Sequence, residues 1–210
     1  MFIKGIGMQA LKDEIRIHIL TSAQLQFTKE GYLKTSMRKV ADGAGVGLGN
    51  IYNYYKNKDE LFRAVVRPVT NSFERMMQQH HGRDGRDVME MTSENYFNEI
   101  VDEYVSLIKS NRRLMGVLLF KAQGSSLEHF KETFTDKSTA LVKEWFVDMK
   151  VKHPQMNTAV SDFIIHLHTV WMFTLLEEAI MHKVSNKDME QIVKEYIYFE
   201  IEGWKRTLKI

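Results

Sequence analysis

Three glycines alternate with larger residues in the stretch AGVGLGNIYNYYKNKDELF (Ala44–Phe62), and tyrosines and lysines follow them directly. Glycine lets a backbone approach another molecule closely, and tyrosine hydroxyls and lysine ammonium groups are donors to phosphate oxygens. These residue types therefore indicate a site for phosphate groups. The phosphates would belong either to a nucleotide or to a nucleic acid.

The nucleotide alternative fails on spacing and on context. A G-x-G-x-x-G loop that begins at Gly45 requires glycine at position 50, which is Asn50. Such a loop follows a buried strand, whereas Ser36–Ala44 has the apolar spacing of a helix. The sequence also lacks a G-x-x-x-x-G-K-[ST] pattern. We therefore expect no nucleotide loop.

Metal binding and catalysis find little support in the spacing of the polar residues. None of the eight histidines stands four residues from another, and His166 and His168 diverge on a helix because they are two apart. The neighbours Glu177 and Glu178 diverge in the same way. The chain has no cysteine and no G-x-S-x-G pattern. We expect no metal site, no cofactor and no enzyme activity.

The composition favours a helical protein of the cytoplasm. The 210 residues include no cysteine and only two prolines, so disulfides are excluded and long helices are possible. We find no 18-residue apolar run and no signal-peptide pattern, so we expect neither a membrane span nor secretion. Residues 1–58 carry a net charge of +5 and the remainder −3. A basic head on an acidic body indicates a polyanionic partner for the head.

The apolar spacing predicts helices throughout the chain, beginning with three around the glycine-rich stretch. Apolar residues from Ile15 to Phe27 recur at three and four positions, and Gly31 ends that run. Thr35 or Ser36 can cap a short second helix that ends at Gly45. A third helix is predicted over Leu48–Tyr55. A fourth, capped by Asn57, is predicted from Lys58 to about His80. The further predicted helices are Ser93–Lys109, Arg112–Gln123, Leu127–Lys152, Asn157–Lys183 and Asn186–Leu208.

Two short helices joined by a glycine turn form a helix-turn-helix. From about Ile19 to Phe62, roughly a quarter of the chain, the sequence resembles the DNA-binding domain of the TetR family of transcriptional repressors. The residues that carry the resemblance are Ile19, Ala23, Phe27 and Gly31, then TSMRKVADGAGV (Thr35–Val46) and IYNYYKNKDELF (Ile51–Phe62). The resemblance implies an all-α protein: a three-helix DNA-binding domain at residues 1–57, followed by a helical ligand-binding and dimerisation domain at residues 58–210.

The resemblance also implies which residues contact DNA. They are Thr35, Ser36, Arg38, Gly47, Leu48, Asn50, Tyr52, Asn53, Tyr54 and Lys58. Tyr52, Tyr54 and Lys58 are predicted to bind phosphates, and Tyr55 to take the place of a core phenylalanine. This chain departs from the family pattern at Gly47, Leu48 and Asn50, which are positions that face bases. Its operator sequence therefore cannot be taken from a relative.

The body of the chain is rich in aromatic residues and methionine, which suit an apolar pocket between helices. We predict that a small apolar or amphipathic ligand contacts Phe73, Met76, Met115, Phe120, His168 and Trp171. We predict a homodimer held by the last two helices, with Leu175, Tyr196, Ile197 and Trp204 at its interface. Dimers place two recognition helices about 34 Å apart, which favours an inverted-repeat operator.

The sequence thus predicts a cytoplasmic repressor that leaves its operator when a small molecule binds. Two alternatives remain open. One is a DNA-binding dimer that responds to no ligand. The other is a protein that sequesters small molecules and carries a vestigial DNA-binding module. The identity of the ligand, the operator and the regulated genes lies beyond the sequence, as does the choice between repression and activation.

Overall fold

The computed structural model describes residues 3–83 and 85–210; Met1, Phe2 and Asp84 lie outside the described residues. Within this range there are eight α-helices and one turn of 3₁₀ helix, at Glu90–Thr92. The α-helices are α1 (Ile3–Lys34), α2 (Met37–Ala44), α3 (Leu48–Tyr54), α4 (Lys58–His81), α5 (Glu94–Phe120), α6 (Phe130–Lys152), α7 (Asp162–Met181) and α8 (Asn186–Leu208). The predicted all-α fold is confirmed.

Contacts divide the chain into two compact units. The first contains the described residues up to Val69 together with Arg113–His129, and the second contains Thr70–Arg112 and Phe130–Ile210. The first half of α4 thus groups with α1–α3. The domain boundary after residue 57 stays a prediction.

Local signals in the sequence account for the short helices of the first unit. Ser36 caps α2, since its hydroxyl accepts a hydrogen bond from the Lys39 amide. Gly45 ends α2 in the left-handed region with a φ of 67°, which glycine adopts without the steric cost that other residues meet. Asn57 caps α4, because its side-chain oxygen accepts from the Glu60 amide at 2.8 Å. These three predicted caps are confirmed.

The core of the first unit forms where α1, α2, α3 and the start of α4 meet. Ile19, Phe27, Val40, Ile51 and Phe62 are completely buried there. The Phe27 and Phe62 rings pack edge to face, with centroids 5.0 Å apart. This apolar centre fixes α2 and α3 against α1, so their outer faces are presented on a rigid support.

A segment from later in the chain completes the first unit. The Tyr32 amide donates to the Lys121 carbonyl at 2.9 Å, just after Gly31 interrupts α1 with a φ of 75°. Ser126 donates to the Asp59 carboxylate through both its amide, at 2.7 Å, and its hydroxyl, at 2.8 Å. Arg113–His129 is therefore a structural part of the unit that contains the helix-turn-helix.

The core of the second unit is built from aromatic residues and methionine. Phe73 of α4 is completely buried, and its ring lies 5.4–5.7 Å from the rings of Phe130, Phe134 and Phe173. A further buried cluster joins α6, α7 and α8 and consists of Val88, Val142, Trp145, Phe146, Met149, Met156, Ile165 and Leu208. Together these groups bind the later helices into one unit.

The predicted break between Lys109 and Arg112 is wrong, because α5 continues through it to Phe120. Ser110 and Asn111 are polar, but Asn111 turns its side-chain amide back onto the Leu107 carbonyl of its own helix at 3.2 Å. The apolar face meanwhile continues through Ile108 and Met115. α6 and α7 also begin later than predicted, at Phe130 and Asp162, where Ser161 caps α7. The predicted bounds of α8 are confirmed.

Candidate nucleic-acid interface and candidate ligand cavity

The turn between α2 and α3 is held by backbone hydrogen bonds. The Gly45 amide donates to the Asp42 carbonyl at 3.2 Å, and the Val46 amide donates to the Ala41 carbonyl at 3.1 Å. α3 begins directly afterwards and turns Ile51 into the core, while Tyr55 at its end is 4% exposed. The prediction that Tyr55 is a core residue is confirmed.

The opposite face of α3 is open. Tyr52 is half exposed, Asn53 is exposed, and Asn50 and Tyr54 are partly exposed. A methyl group added at Gly47 or at Gly49 would meet no described atom within 4 Å. The packing of the chain therefore gives no reason for glycine at either position, and both leave room for another molecule to approach the start of α3.

Basic side chains accompany this face. Arg38 of α2 is exposed, as are Lys34 before it and Lys56 after α3. Lys39 instead forms an ion pair with Glu30 at 2.5 Å, and the hydrogen bond from Lys39 lowers the pKa of that carboxyl. Ser36 is exposed and keeps its hydroxyl proton available while its oxygen caps α2. The structure therefore leaves both Ser36 and Arg38 exposed.

Two of the residues predicted to contact DNA have internal partners instead. Thr35 is buried, and its hydroxyl donates to the Gly31 carbonyl at 2.8 Å. The Lys58 ammonium donates to the carbonyls of Tyr32, Leu33 and Thr35 at 2.8, 3.4 and 3.1 Å. It also lies 4.2 Å from the centre of the Tyr32 ring, and burial lowers the pKa of Lys58. Lys58 therefore caps the carbonyl groups at the end of α1.

The second unit contains a cavity of about 160 Å³. Its wall is formed by α4, α5, α6, α7 and α8, and most of it is apolar or aromatic. Representative lining residues are Met76, Tyr96, Trp145, Met172, Ile197 and Trp204. A concave, mainly apolar site with a few polar groups is the usual form of a small-molecule site.

The polar groups of the cavity fall into two clusters. In one, the His80 ring bonds the Glu103 carboxylate at 2.7 Å and the Tyr96 hydroxyl at 3.1 Å. In the other, His168 Nδ1 lies 2.5 Å from Glu200 Oε2 and 3.2 Å from Trp204 Nε1. His81 also lines the cavity. Burial and then the charges of His80 and His168 lower its pKa to about 3, so its imidazole is neutral near pH 7.

The predicted ligand residues fall in different places. Met76 and His168 line the cavity. Phe73 is enclosed in the aromatic cluster of the second unit, while Met115 is buried in the first unit and Phe120 is 43% exposed there. Trp171 is also 43% exposed, on the outer face of α7.

The predicted interface residues lie closer to the cavity than expected. Tyr196, Ile197 and Trp204 line its wall, while Leu175 is partly buried on α7. Large apolar side chains are exposed at other positions of the same two helices. They are Phe163, Ile164, Trp171 and Met181 on α7, and Tyr198 and Phe199 on α8.

Sequence reasoning missed Glu200. It is 7% exposed, lies on α8 and lines the cavity. The signal was available, because Glu200 continues the inward stripe of Val193, Ile197 and Trp204 at helical spacing. In the described part of the chain, no three histidine, aspartate or glutamate side chains gather as metal ligands do.

Comparison with known proteins gives a match at the helix-turn-helix. Residues 19–65 match the family described as "Bacterial regulatory proteins, tetR family". The chain is similar to the HTH-type transcriptional regulator YhgD of Bacillus subtilis (strain 168), with 52% identity over 47 residues, which are 22% of this chain and 25% of that protein. The chain thus spans about a quarter of the length of this relative.

Two solved structures extend the likeness to the whole fold. NalD, the secondary repressor of the MexAB-OprM multidrug efflux pump in Pseudomonas aeruginosa, superposes with a TM-score of 0.64 and 17% identity over 94% of this chain and 98% of its own. FadR of Bacillus subtilis, solved in complex with stearoyl-CoA, gives a TM-score of 0.59 and 17% identity over 90% and 98%.

All three are named as regulators and not as enzymes. A match over the helix-turn-helix and a shared fold along nearly the whole chain agree with the geometry of α2, its glycine turn and α3. Residues 19–65 thus form a helix-turn-helix of the tetR family of bacterial regulatory proteins, and the chain shares its fold with solved regulators along most of its length.

Proposed function

We propose that this protein is a homodimeric repressor that binds an inverted-repeat DNA operator and leaves it when a small amphipathic molecule fills the cavity. The observation that carries the proposal is the open face of α3. It bears polar side chains, it has free space at Gly47 and Gly49, and exposed basic residues adjoin it in the first unit. A helix of this kind enters the major groove of DNA.

Base reading is assigned to Leu48 and Asn50. Asparagine bonds adenine through N6 and N7, and an apolar side chain contacts the methyl group of thymine, so each half-site should contain A·T pairs. Ser36, Arg38, Tyr52, Asn53 and Tyr54 are assigned to phosphates and sugars, which fix the position of α3 without reading sequence.

Dimerisation through α7 and α8 is supported by what these helices leave uncovered. An 18-residue window of α7 has a mean hydropathy of 1.3, yet only 33% of that window is buried. By length and composition alone such a helix is able to cross a membrane, but a helix that packs on two sides of a soluble protein has the same composition. Phe163 and Trp171 on α7, with Tyr198 and Phe199 on α8, supply an apolar face for a second copy.

The ligand response is supported by the cavity and by the path of α4. The first half of α4 belongs to the helix-turn-helix unit, and its second half contributes Met76, Met77, His80 and His81 to the cavity wall. A ligand changes DNA affinity only by its differential affinity for the two states of the protein. The Bacillus subtilis FadR structure contains stearoyl-CoA, so this fold accommodates an amphipathic molecule in at least one relative. We place the protein in the cytoplasm with its DNA.

The experiment is an unbiased selection of DNA sequences with the purified protein, followed by titration of the selected site. We expect an inverted repeat with A·T pairs in each half. Asn50→Ala should weaken binding to that site by about 1–3 kcal/mol and relax discrimination at one base pair. Recovery of no sequence would refute the proposal. Equal weakening on selected and scrambled DNA would make Asn50 a backbone contact.

A further inference from the structure

Glu200 is a buried acid with one unused oxygen. Its carboxylate lies in the cavity wall, and its side chain is 8% exposed. Oε2 is bonded to His168 Nδ1 at 2.5 Å, whereas Oε1 is buried without a hydrogen-bond partner among the described residues. A buried carboxylate oxygen without a donor is costly, and most such atoms in proteins are paired.

His168 cannot serve both of its neighbours through Nδ1. That nitrogen has either one proton or one lone pair. We assign the Nδ1 proton to the shorter contact, 2.5 Å to Glu200 Oε2, and in that tautomer Nδ1 has no lone pair to accept from the Trp204 indole at 3.2 Å. In that tautomer the Trp204 N–H and Glu200 Oε1, which belong to two residues of the cavity wall, both have unsatisfied hydrogen-bonding capacity.

The other groups around the cavity do not neutralise this carboxylate. Lys205 lines the wall, but its ammonium is bonded to Glu202 at 2.7 Å. His80 is paired with Glu103. Burial keeps the His81 imidazole uncharged near pH 7 by lowering its pKa to about 3. The Tyr196 hydroxyl, one turn before Glu200 on α8, is neutral because burial and then nearby Tyr104 and Glu200 raise its pKa. It lies close to the Glu200 carboxylate but makes no hydrogen bond of ordinary geometry with it.

The surrounding wall is aromatic. Tyr104, Tyr196 and Trp204 line the cavity together with Glu200, and the Trp204 ring packs edge to face on His168 with centroids 5.4 Å apart. Aromatic faces attract cations, and the attraction is stronger where water is excluded. A carboxylate beside an aromatic wall favours an organic cation that also carries an apolar body.

We propose that the cavity selects a small aromatic or aliphatic amine, whose ammonium group donates to Glu200 Oε1 while its apolar body occupies the space beside Trp145 and Met172. This assignment deepens the proposed function, on which it rests, by naming the chemical class of the effector. The cavity volume of about 160 Å³ suits a body of about one aromatic ring, since an engineered apolar cavity of about 150 Å³ holds benzene.

The test compares three probes of nearly equal shape, namely 2-phenylethylamine, 2-phenylethanol and phenylacetate. They are a cation, a neutral molecule and an anion at pH 7.4. Binding is measured on the full-length protein without DNA, by calorimetry and by the indole N–H resonances of its three tryptophans. We expect the amine to bind at least about tenfold more tightly than the alcohol, and the anion to bind most weakly.

Two variants on α8 locate the preference. Glu200→Gln keeps the shape of the side chain and removes its charge, and it should abolish the preference of the amine over the alcohol. Glu190→Gln removes the same charge from an exposed site on the same helix, where Glu190 is paired with Lys194, and it should leave the preference intact. If Glu200→Gln fails to fold, the ranking of the three probes on the native protein decides the test.

Several results would overturn the assignment. They are equal or tighter binding of the alcohol or the anion, a preference that persists in Glu200→Gln, and no binding of any probe at millimolar concentration. Operator binding is measured separately. A protein that prefers the amine through Glu200 but binds no DNA would retain this inference and lose the proposed function.

Discussion

Lys56 and Lys58 stand two positions apart, yet their side chains have different surroundings. Lys56 is exposed, whereas the Lys58 ammonium donates hydrogen bonds to three carbonyls at the end of α1. The sequence places both lysines beside the recognition helix. It does not show that Lys58 meets carbonyls 23–26 residues earlier in the chain, because that contact depends on how α1 and α4 pack.

Lys58→Met should lower the free energy of unfolding by about 1–3 kcal/mol, because it removes charge-assisted hydrogen bonds from partly buried carbonyls. Lys56→Met is the matched control and should change stability by less than about 0.5 kcal/mol. Urea unfolding of both variants gives the comparison. If the two variants are equally stable, the Lys58 hydrogen bonds do not stabilise the fold. Lys58 would then be available for the phosphate contact that the sequence predicts.

A substitution at Gly49 should affect protein stability and DNA binding in opposite directions. The space beside it is empty of described atoms, and alanine is favoured over glycine inside a helix by roughly 0.5–1 kcal/mol. Gly49→Ala should therefore fold at least as well as the native protein. It should also bind the selected operator less tightly, because its methyl group occupies the space left for DNA.

Fluorescence anisotropy on operator and scrambled DNA measures this effect, with thermal unfolding recorded in parallel. An affinity equal to that of the native protein would mean that DNA does not approach the start of α3. Lower stability would instead point to a contact within the protein that the structure lacks.

Among the helices, those with strong local signals were predictable and those without were not. α2 has a serine cap and a glycine stop, and α8 has the Ser185 cap and an apolar stripe along its length, so their bounds follow from the sequence. α5 runs through the polar pair Ser110 and Asn111, where only tertiary packing decides that the helix continues. Glu200 could have been found on its stripe, but its unpaired oxygen depends on α7.

The exposed apolar faces of α7 and α8 allow the proposed dimer interface to be tested by mutation. Trp171→Glu combined with Phe199→Lys should shift the protein towards monomer at micromolar concentration, because both changes place charge on a surface that needs an apolar partner. Met89→Glu is the control, since Met89 is 47% exposed but lies outside both helices. Analytical ultracentrifugation distinguishes the species. A double variant that remains dimeric would move the interface elsewhere.

For the whole molecule, the His81 environment couples folding to pH. The pKa of His81 is lowered to about 3 in the folded protein, from about 6.5 for an ordinary histidine, so the unfolded chain binds this proton first as the solution is acidified. Stability from this residue is complete above pH 6.5 and is lost as the pH falls towards 3. His81 is partly exposed as a whole residue, so we expect a loss of about 1 kcal/mol per pH unit, below the limit of roughly 1.4.

His81→Gln isolates this contribution from the histidines that are paired with carboxylates. Between pH 7 and pH 5 the native protein should lose more unfolding free energy than the variant, and above pH 7 the two should change in parallel. Urea titrations at several pH values provide the measurement. If the native protein and the variant lose the same unfolding free energy, the pKa of His81 is not lowered in the folded protein.

The inclusion of Arg113–His129 in the first unit affects any graft of the helix-turn-helix onto another protein. A chimera that is cut after residue 57 exchanges the recognition helix but leaves behind the Lys121 carbonyl, which accepts from the Tyr32 amide. It also leaves behind Lys58, whose ammonium donates to the carbonyls of Tyr32, Leu33 and Thr35. The transplanted head would depend on the new host for these bonds. A graft that carries α1 to Val69 and retains Arg113–His129 keeps its own support, so the exchangeable cassette is discontinuous in sequence.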